Sequence, residues 1–197
     1  VRFDADPKSK FKHKKNKNSF NNTLLGFCSH SCYSYTTAMR FYPDLTRKDI
    51  QYMQLCIETS KIFSTCGKKK YAAVLVDEFG HVVGIGYNGG PKNYIHCEDG
   101  GCPRYLEGTP SGAAYDNCIA VHAEANAFLH SDYSSRAKKM YVNGPPCYSC
   151  AKLIVNSTIH TVYYMQDSGY AQWKEIKEFL RKNYVEVIRV DNASVKA

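Results

Sequence analysis

A chain of 197 residues is one domain with room for an appendage, and is long enough to bury a sizeable core. Its 44% hydrophobic and 22% charged residues are ordinary for a globular protein, and its longest wholly apolar run, the six residues from Tyr71 to Val76, is too short for a membrane-spanning helix of about 20. The net charge of +8 suggests a nucleic-acid partner until it is located. Residues 1–50 hold ten basic and four acidic residues and the rest of the chain sixteen and fourteen, so the body is almost neutral.

The basic stretch from Lys8 to Lys17 reads as a solvated tail, with weak phosphate or membrane-surface binding as the lesser alternative. Residues 1–48 show no sustained periodicity and are expected to form a basic extension to a domain over 49–197. Cys28, His30 and Cys32 stand at Cys-x-His-x-Cys spacing without a second pair nearby, and read as incidental. No apolar run follows the basic residues, so no secretory signal is expected and the expected compartment is the cytoplasm. In a reducing compartment the nine cysteines, an odd number, favour metal ligands or core thiols over disulfides.

From Asp49 the elements become legible. Asp49 is expected to cap a helix to about Ser64, with Ile50, Met53, Cys56 and Ile57 on one side. Tyr71 to Asp77 reads as a strand, Glu78-Phe79-Gly80 as a turn and His81 to Tyr87 as a second strand, antiparallel to the first because the connection is short. A loop rich in Gly, Pro and Cys spans Asn88 to Val121; loops of that length inside a domain are usually functional or stapled. A helix over His122–His130, a strand over Lys139–Asn143, a helix over Tyr148–Asn156, a strand over His160–Met165, a helix over Tyr170–Asn183 and a strand over Val185–Val190 follow. Strands joined through helices pair in parallel. The expected fold is therefore a mixed five-stranded sheet with helices on both faces.

Two short patterns carry the chemistry: His122-Ala-Glu124, and Pro146-Cys147-Tyr-Ser-Cys150. One imidazole and two thiolates fill three tetrahedral positions of zinc and leave the fourth open for water. Both sets fall at predicted helix starts, where free N–H groups and the helix dipole favour thiolates, and Pro146 suits the approach to a helix. Glu124 is placed to carry the proton that such water must lose. Taken singly, each has a bland reading: a structural or redox Cys-x-x-Cys, a core histidine, a solvated glutamate. Jointly they resemble the signature of the zinc deaminases.

Beyond that signature, residues from about 50 to 190 resemble the deoxycytidylate (dCMP) deaminases of the cytidine deaminase-like superfamily. The resemblance rests on Gly86-Tyr-Asn-Gly-Gly-Pro91, His96-Cys97, Gly101-Cys102-Pro-Arg104, Pro110-Ser-Gly112, Cys118, Val121-His-Ala-Glu-Ala-Asn-Ala127 and Pro145-Pro-Cys-Tyr-Ser-Cys-Ala-Lys152. Where the family often has a basic residue and a glycine after the proline, this chain has Lys92 and Asn93. The resemblance implies a three-layer α/β/α fold and hydrolysis of dCMP to dUMP and ammonia, which feeds thymidylate synthesis. Glu124 would carry the proton, His122, Cys147 and Cys150 would hold the catalytic zinc, and Asn88 would meet the sugar. Cys66, Cys97, Cys102 and Cys118 fit a second, structural zinc, which the resemblance supports; His96 is an alternative ligand there, and free thiols in a loop are the bland reading. The resemblance further implies a homo-oligomer, often a hexamer, activated by dCTP and inhibited by dTTP, with magnesium accompanying the effector nucleotide. The rivals are a deaminase of another cytosine nucleotide or nucleoside, a deaminase of single-stranded nucleic acid, and a zinc module without catalysis. The near-neutral body speaks against a stable nucleic-acid partner, and Glu124 against a merely structural module.

Overall fold

The computed structural model describes residues 45–110, 113, 117–131, 136–165 and 172–196. The extension up to residue 44, with Cys28, His30 and Cys32, lies outside them, as do Ser111, Gly112 and the expected helix start at Tyr170.

Helix α1 (Arg47–Phe63) begins one turn earlier than its sequence suggests. Thr46 is the cap: its hydroxyl accepts from the Asp49 amide, while the Asp49 carboxylate accepts from the Thr46 amide at 3.0 Å, a reciprocal box. Asp49 is thus the inner partner of the cap. It is buried, and its second oxygen accepts from the Tyr141 hydroxyl and, at 3.4 Å, from Lys139.

Strand β1 (Ala72–Asp77) is buried at all six positions. It is flanked by β2 (Val82–Tyr87) and β3 (Ala137–Val142), both antiparallel to it. Helices cover both of its faces, which is why it reads as an unbroken apolar run. In the turn between β1 and β2, Gly80 takes φ 85°, and the Asp77 carboxylate accepts from the Phe79 and His81 amides. Strands β4 (Thr161–Tyr164) and β5 (Glu186–Arg189) extend the sheet from β3 in parallel. The order is β2-β1-β3-β4-β5, the mixed sheet expected from the connections.

One face carries Leu75, Met140, Val142 and Val162 against Ala127 of α3 (Ala123–Leu129), Ile154 of α4 (Tyr148–Val155) and Ile176 of α5 (Trp173–Lys182). The other carries Val74, Val76, Tyr141 and Ile188 against Met53 and Cys56 of α1. These are the three layers of a cytidine deaminase-like fold. A short helix, α6 (Asn192–Lys196), escaped the sequence reading because Val195 is the one large apolar residue it buries. The Cys56 thiol donates to the Ala72 carbonyl at 3.0 Å, as suits a core residue. No helix among the described residues is long and apolar enough to cross a membrane.

Two glycines on β2 decide where α3 lies. A Cβ on Gly86 would stand 2.1 Å from the Ala127 nitrogen and 2.3 Å from the Ala123 carbonyl, and one on Gly84 2.9 Å from the Ala127 carbonyl. Without side chains there, the helix backbone rests directly on the strand. Asn126 then donates to the Tyr87 carbonyl at 2.7 Å, and Ser131 to that of Val83. Helix α3 is thereby locked across the edge of the sheet.

Candidate active site

The loop after β2 is closed at its base. Gly89 and Val121 exchange backbone hydrogen bonds of 2.8 and 3.3 Å, so an excursion of some thirty residues returns beside its origin and delivers His122 as the residue before α3. On the other side of β1, β3 ends into Gly144-Pro145-Pro146, and Cys147 caps α4 with its sulfur facing the Cys150 amide at 3.5 Å. Both metal-ligand sets stand at helix starts, as their spacing suggests.

The two helix starts converge. His122 Nδ1 lies 3.2 Å from Cys147 Sγ and 3.4 Å from Cys150 Sγ, and the three ligand atoms lie within 4.8 Å of one another. This donor set suits zinc with one coordination position left open. A hydrogen bond with Cys150 pulls the Cys147 thiol well down against the cost of burial, and His122 reinforces the effect. Cys150 is pushed up by that same bond and by burial. His122 is raised to about 9, chiefly by its hydrogen bond to Cys147.

Glu124, 5% exposed, is on the first turn of α3. Burial raises its carboxyl above the usual range, against the pull of the His122 charge. A buried carboxyl set against such a cradle is placed to take and return protons.

Asn88 is also buried, and much of its hydrogen-bonding capacity is spent on its own surroundings. Its Oδ1 accepts from the Ser64 hydroxyl at 2.6 Å and the Tyr71 amide at 2.8 Å, and its Nδ2 donates to the Lys69 carbonyl at 2.8 Å. Asn93, where a glycine is frequent in the family, takes φ 64°, a left-handed conformation that asparagine tolerates better than most residues.

The second cysteine set also comes together. Cys66, Cys97 and Cys102 form a buried cluster with Cys118 packed against it, while His96 stays exposed. Burial pushes the Cys97 thiol up to about 12, against the effect of the Gly67 amide, whereas the amides of Tyr105 and Ile119 outweigh burial and hold Cys102 below the usual thiol range. These four residues do not converge as tightly as the His122 group, the one set of three or more metal-type ligands so gathered among the described residues. Sequence reasoning missed the supports. Arg104, quoted there only within a motif, is buried on α2 (Pro103–Leu106), and its charge lowers the His122 pKa. The Gly-x-Gly spacing of Gly84 and Gly86 was the available sign of a closely seated helix.

A three-layer α/β/α domain with an open His-Cys-Cys cradle and a buried carboxyl beside it defines a zinc hydrolase of the deaminase type. The family model described as "Cytidine and deoxycytidylate deaminase zinc-binding region" matches residues 46–166. The chain is 40% identical over 111 residues to the deoxycytidylate deaminase of Mycobacterium phage D29, covering 53% of this chain and 84% of that protein. It is 32% identical over 118 residues to that of Schizosaccharomyces pombe, covering 59% of this chain but only 36% of the yeast protein. The crystal structure of the dCMP deaminase from cyanophage S-TIM5, in complex with dCMP and dUMP, aligns with a TM-score of 0.55 over 71% of this chain and 94% of that one. At 24% identity that likeness is one of fold. The chain belongs to the cytidine and deoxycytidylate deaminase family.

Proposed function

We propose that the chain hydrolyses dCMP to dUMP and ammonia, and so supplies dUMP for thymidylate synthesis. The observation that carries this reading is the burial of Glu124 directly beside the cradle of His122, Cys147 and Cys150. Those three residues would hold zinc, which when bound would supply the Lewis acidity that makes water a nucleophile at neutral pH. Glu124 would take both protons of the attacking water in turn, passing one to the ring nitrogen and the other to the amine, which leaves as ammonia. At C4 a carbon–oxygen bond replaces a carbon–nitrogen bond, with no change of oxidation state. The resemblance to phage and yeast deoxycytidylate deaminases supports the choice of nucleotide.

Asn88 is read as the sugar contact, through the amide hydrogen left over from its bond to Lys69. Cys66, Cys97, Cys102 and Cys118 are read as ligands of a structural zinc, supported by the buried cluster of the first three with Cys118 packed against it. A homo-oligomer and regulation by dCTP and dTTP with magnesium rest on the family resemblance, while a cytoplasmic location and an N-terminal appendage over 1–48 rest on the sequence pattern.

Assaying dCMP, deoxycytidine and single-stranded DNA side by side tests the substrate. Preferred turnover of dCMP is expected; preference for the nucleoside or the polymer would overturn the assignment.

A further inference from the structure

Strand β1 enters the sheet between the ends of β2 and β3, and an asparagine stands just past each of those ends. Asn88 takes the Tyr71 amide and gives to the Lys69 carbonyl, both at 2.8 Å. Asn143 takes the Ala72 amide at 2.8 Å and gives to the Lys70 carbonyl at 3.1 Å. The four residues Lys69–Ala72 are therefore held from both sides by side chains that each act as acceptor and donor.

Helix α1 ties the pair together. Ser64 donates to Asn88 at 2.6 Å and Asn143 donates to Ser60 at 3.0 Å, and both serines are buried. Immediately beyond Asn143, Gly144 lies against the Tyr71 ring, so closely that a Cβ would fall 2.3 Å from Cε1.

Each asparagine leads into one half of the metal cradle. Asn143 is four residues before Cys147. Asn88 precedes Gly89, whose pairing with Val121 sets down His122. The separation between His122 and Cys147 is thus referred to one common strip of backbone. We propose that Asn143 is a positioning residue of the active site, holding the Cys147 loop against Lys69–Ala72, with Asn88 as its counterpart for the His122 loop. The inference builds on the reading of the cradle as the catalytic zinc site, and outer groups that orient metal ligands typically contribute 10–100-fold in affinity or activity.

The test compares Asn143→Ala with Tyr52→Phe. The latter removes a hydrogen bond of 2.6 Å to the Gly80 carbonyl, at the far end of β1. Metal release to a chelator is followed with cobalt in place of zinc, whose absorption distinguishes a site with two thiolates from one with four. Melting temperature, kcat and the KM for dCMP are read beside it. Asn143→Ala should release the metal of the His122 site about 10–100 times faster and lose kcat with KM little changed. Tyr52→Phe should lower the melting temperature and leave metal release as in the parent. Loss of stability in Asn143→Ala with parental metal release and kcat would overturn the proposal. Should that variant fail to fold, Ser60→Ala decides the matter: faster release supports the proposal, and parental release overturns it. The release measurement does not depend on substrate, so a chain inactive on dCMP would refute the proposed function and leave this inference to be judged separately.

Discussion

The burial of Glu124, the proposed proton carrier, is explained by neither of the bland alternatives. A solvated helix residue would be exposed, and a structural zinc site has no use for a buried carboxyl outside its ligand set. Glu124→Gln keeps the shape and leaves His122, Cys147 and Cys150 in place, so zinc and dCMP should bind as in the parent. Turnover should fall by at least about 10²–10⁴-fold, the usual contribution of a general acid–base group; near-parental turnover would assign the proton to another residue. Asp49 shows the same physics put to structural use. Burial raises its carboxyl, but the Thr46 hydroxyl, the Tyr141 hydroxyl, the Thr46 amide and Lys139 together hold it below 3.8. A carboxylate lowered in the folded state contributes stability that is present above its unfolded pKa and lost as pH falls through the folded one. Tyr141→Phe removes one of those donors, so it should cost about 1–3 kcal/mol at neutral pH. It should also move the onset of acid unfolding to higher pH, which circular dichroism across an acid titration would show.

At the scale of elements, the contact between α3 and β2 sets the active site. Glu124 reaches the cradle because the helix backbone rests on Gly84 and Gly86, and a methyl group at Gly86 would meet backbone atoms that cannot turn aside. Gly86→Ala should destabilise the fold by at least about 1–3 kcal/mol. In whatever folds, kcat should fall because the helix carrying Glu124 is pushed away from the cradle. Thermal melting and dCMP kinetics on the same sample check both effects, and a variant with parental values would show that α3 is seated by other contacts. Strand β1 was legible because a central strand buried on both faces must be apolar throughout, as Ala72 to Val76 is. The starts of α3 and α4 were legible because ligand chemistry marks them. Thr46 as the cap of α1 was not, since Asp49 satisfies the same local pattern; it took Tyr141, 92 residues away, to show which role Asp49 plays. The hydrogen bonds of Asn88 and Asn143 were hidden for a similar reason. They depend on where the sheet brings Lys69–Ala72, and nothing local to either asparagine shows that.

The described residues hold two sulfur-rich clusters joined by one stretch of chain. Cys66 lies in one of them, and six residues further on β1 begins beside the loops that form the other. If both bind metal, the fully loaded chain carries two zinc ions, and removing the second should loosen the long loop without entering the chemistry. Cys97→Ser should then retain one zinc and melt at a lower temperature while the surviving folded fraction turns over dCMP; retention of two zinc ions would exclude Cys97 as a ligand. The most direct test of the account is ammonia release from dCMP by the intact chain, measured as loaded, after stripping the metal, and after zinc is returned. The account predicts stoichiometric dUMP and ammonia from the loaded chain, loss of that activity with the metal and its recovery with zinc. Undiminished deamination by the stripped chain, or a zinc-loaded chain that leaves dCMP untouched, would contradict it.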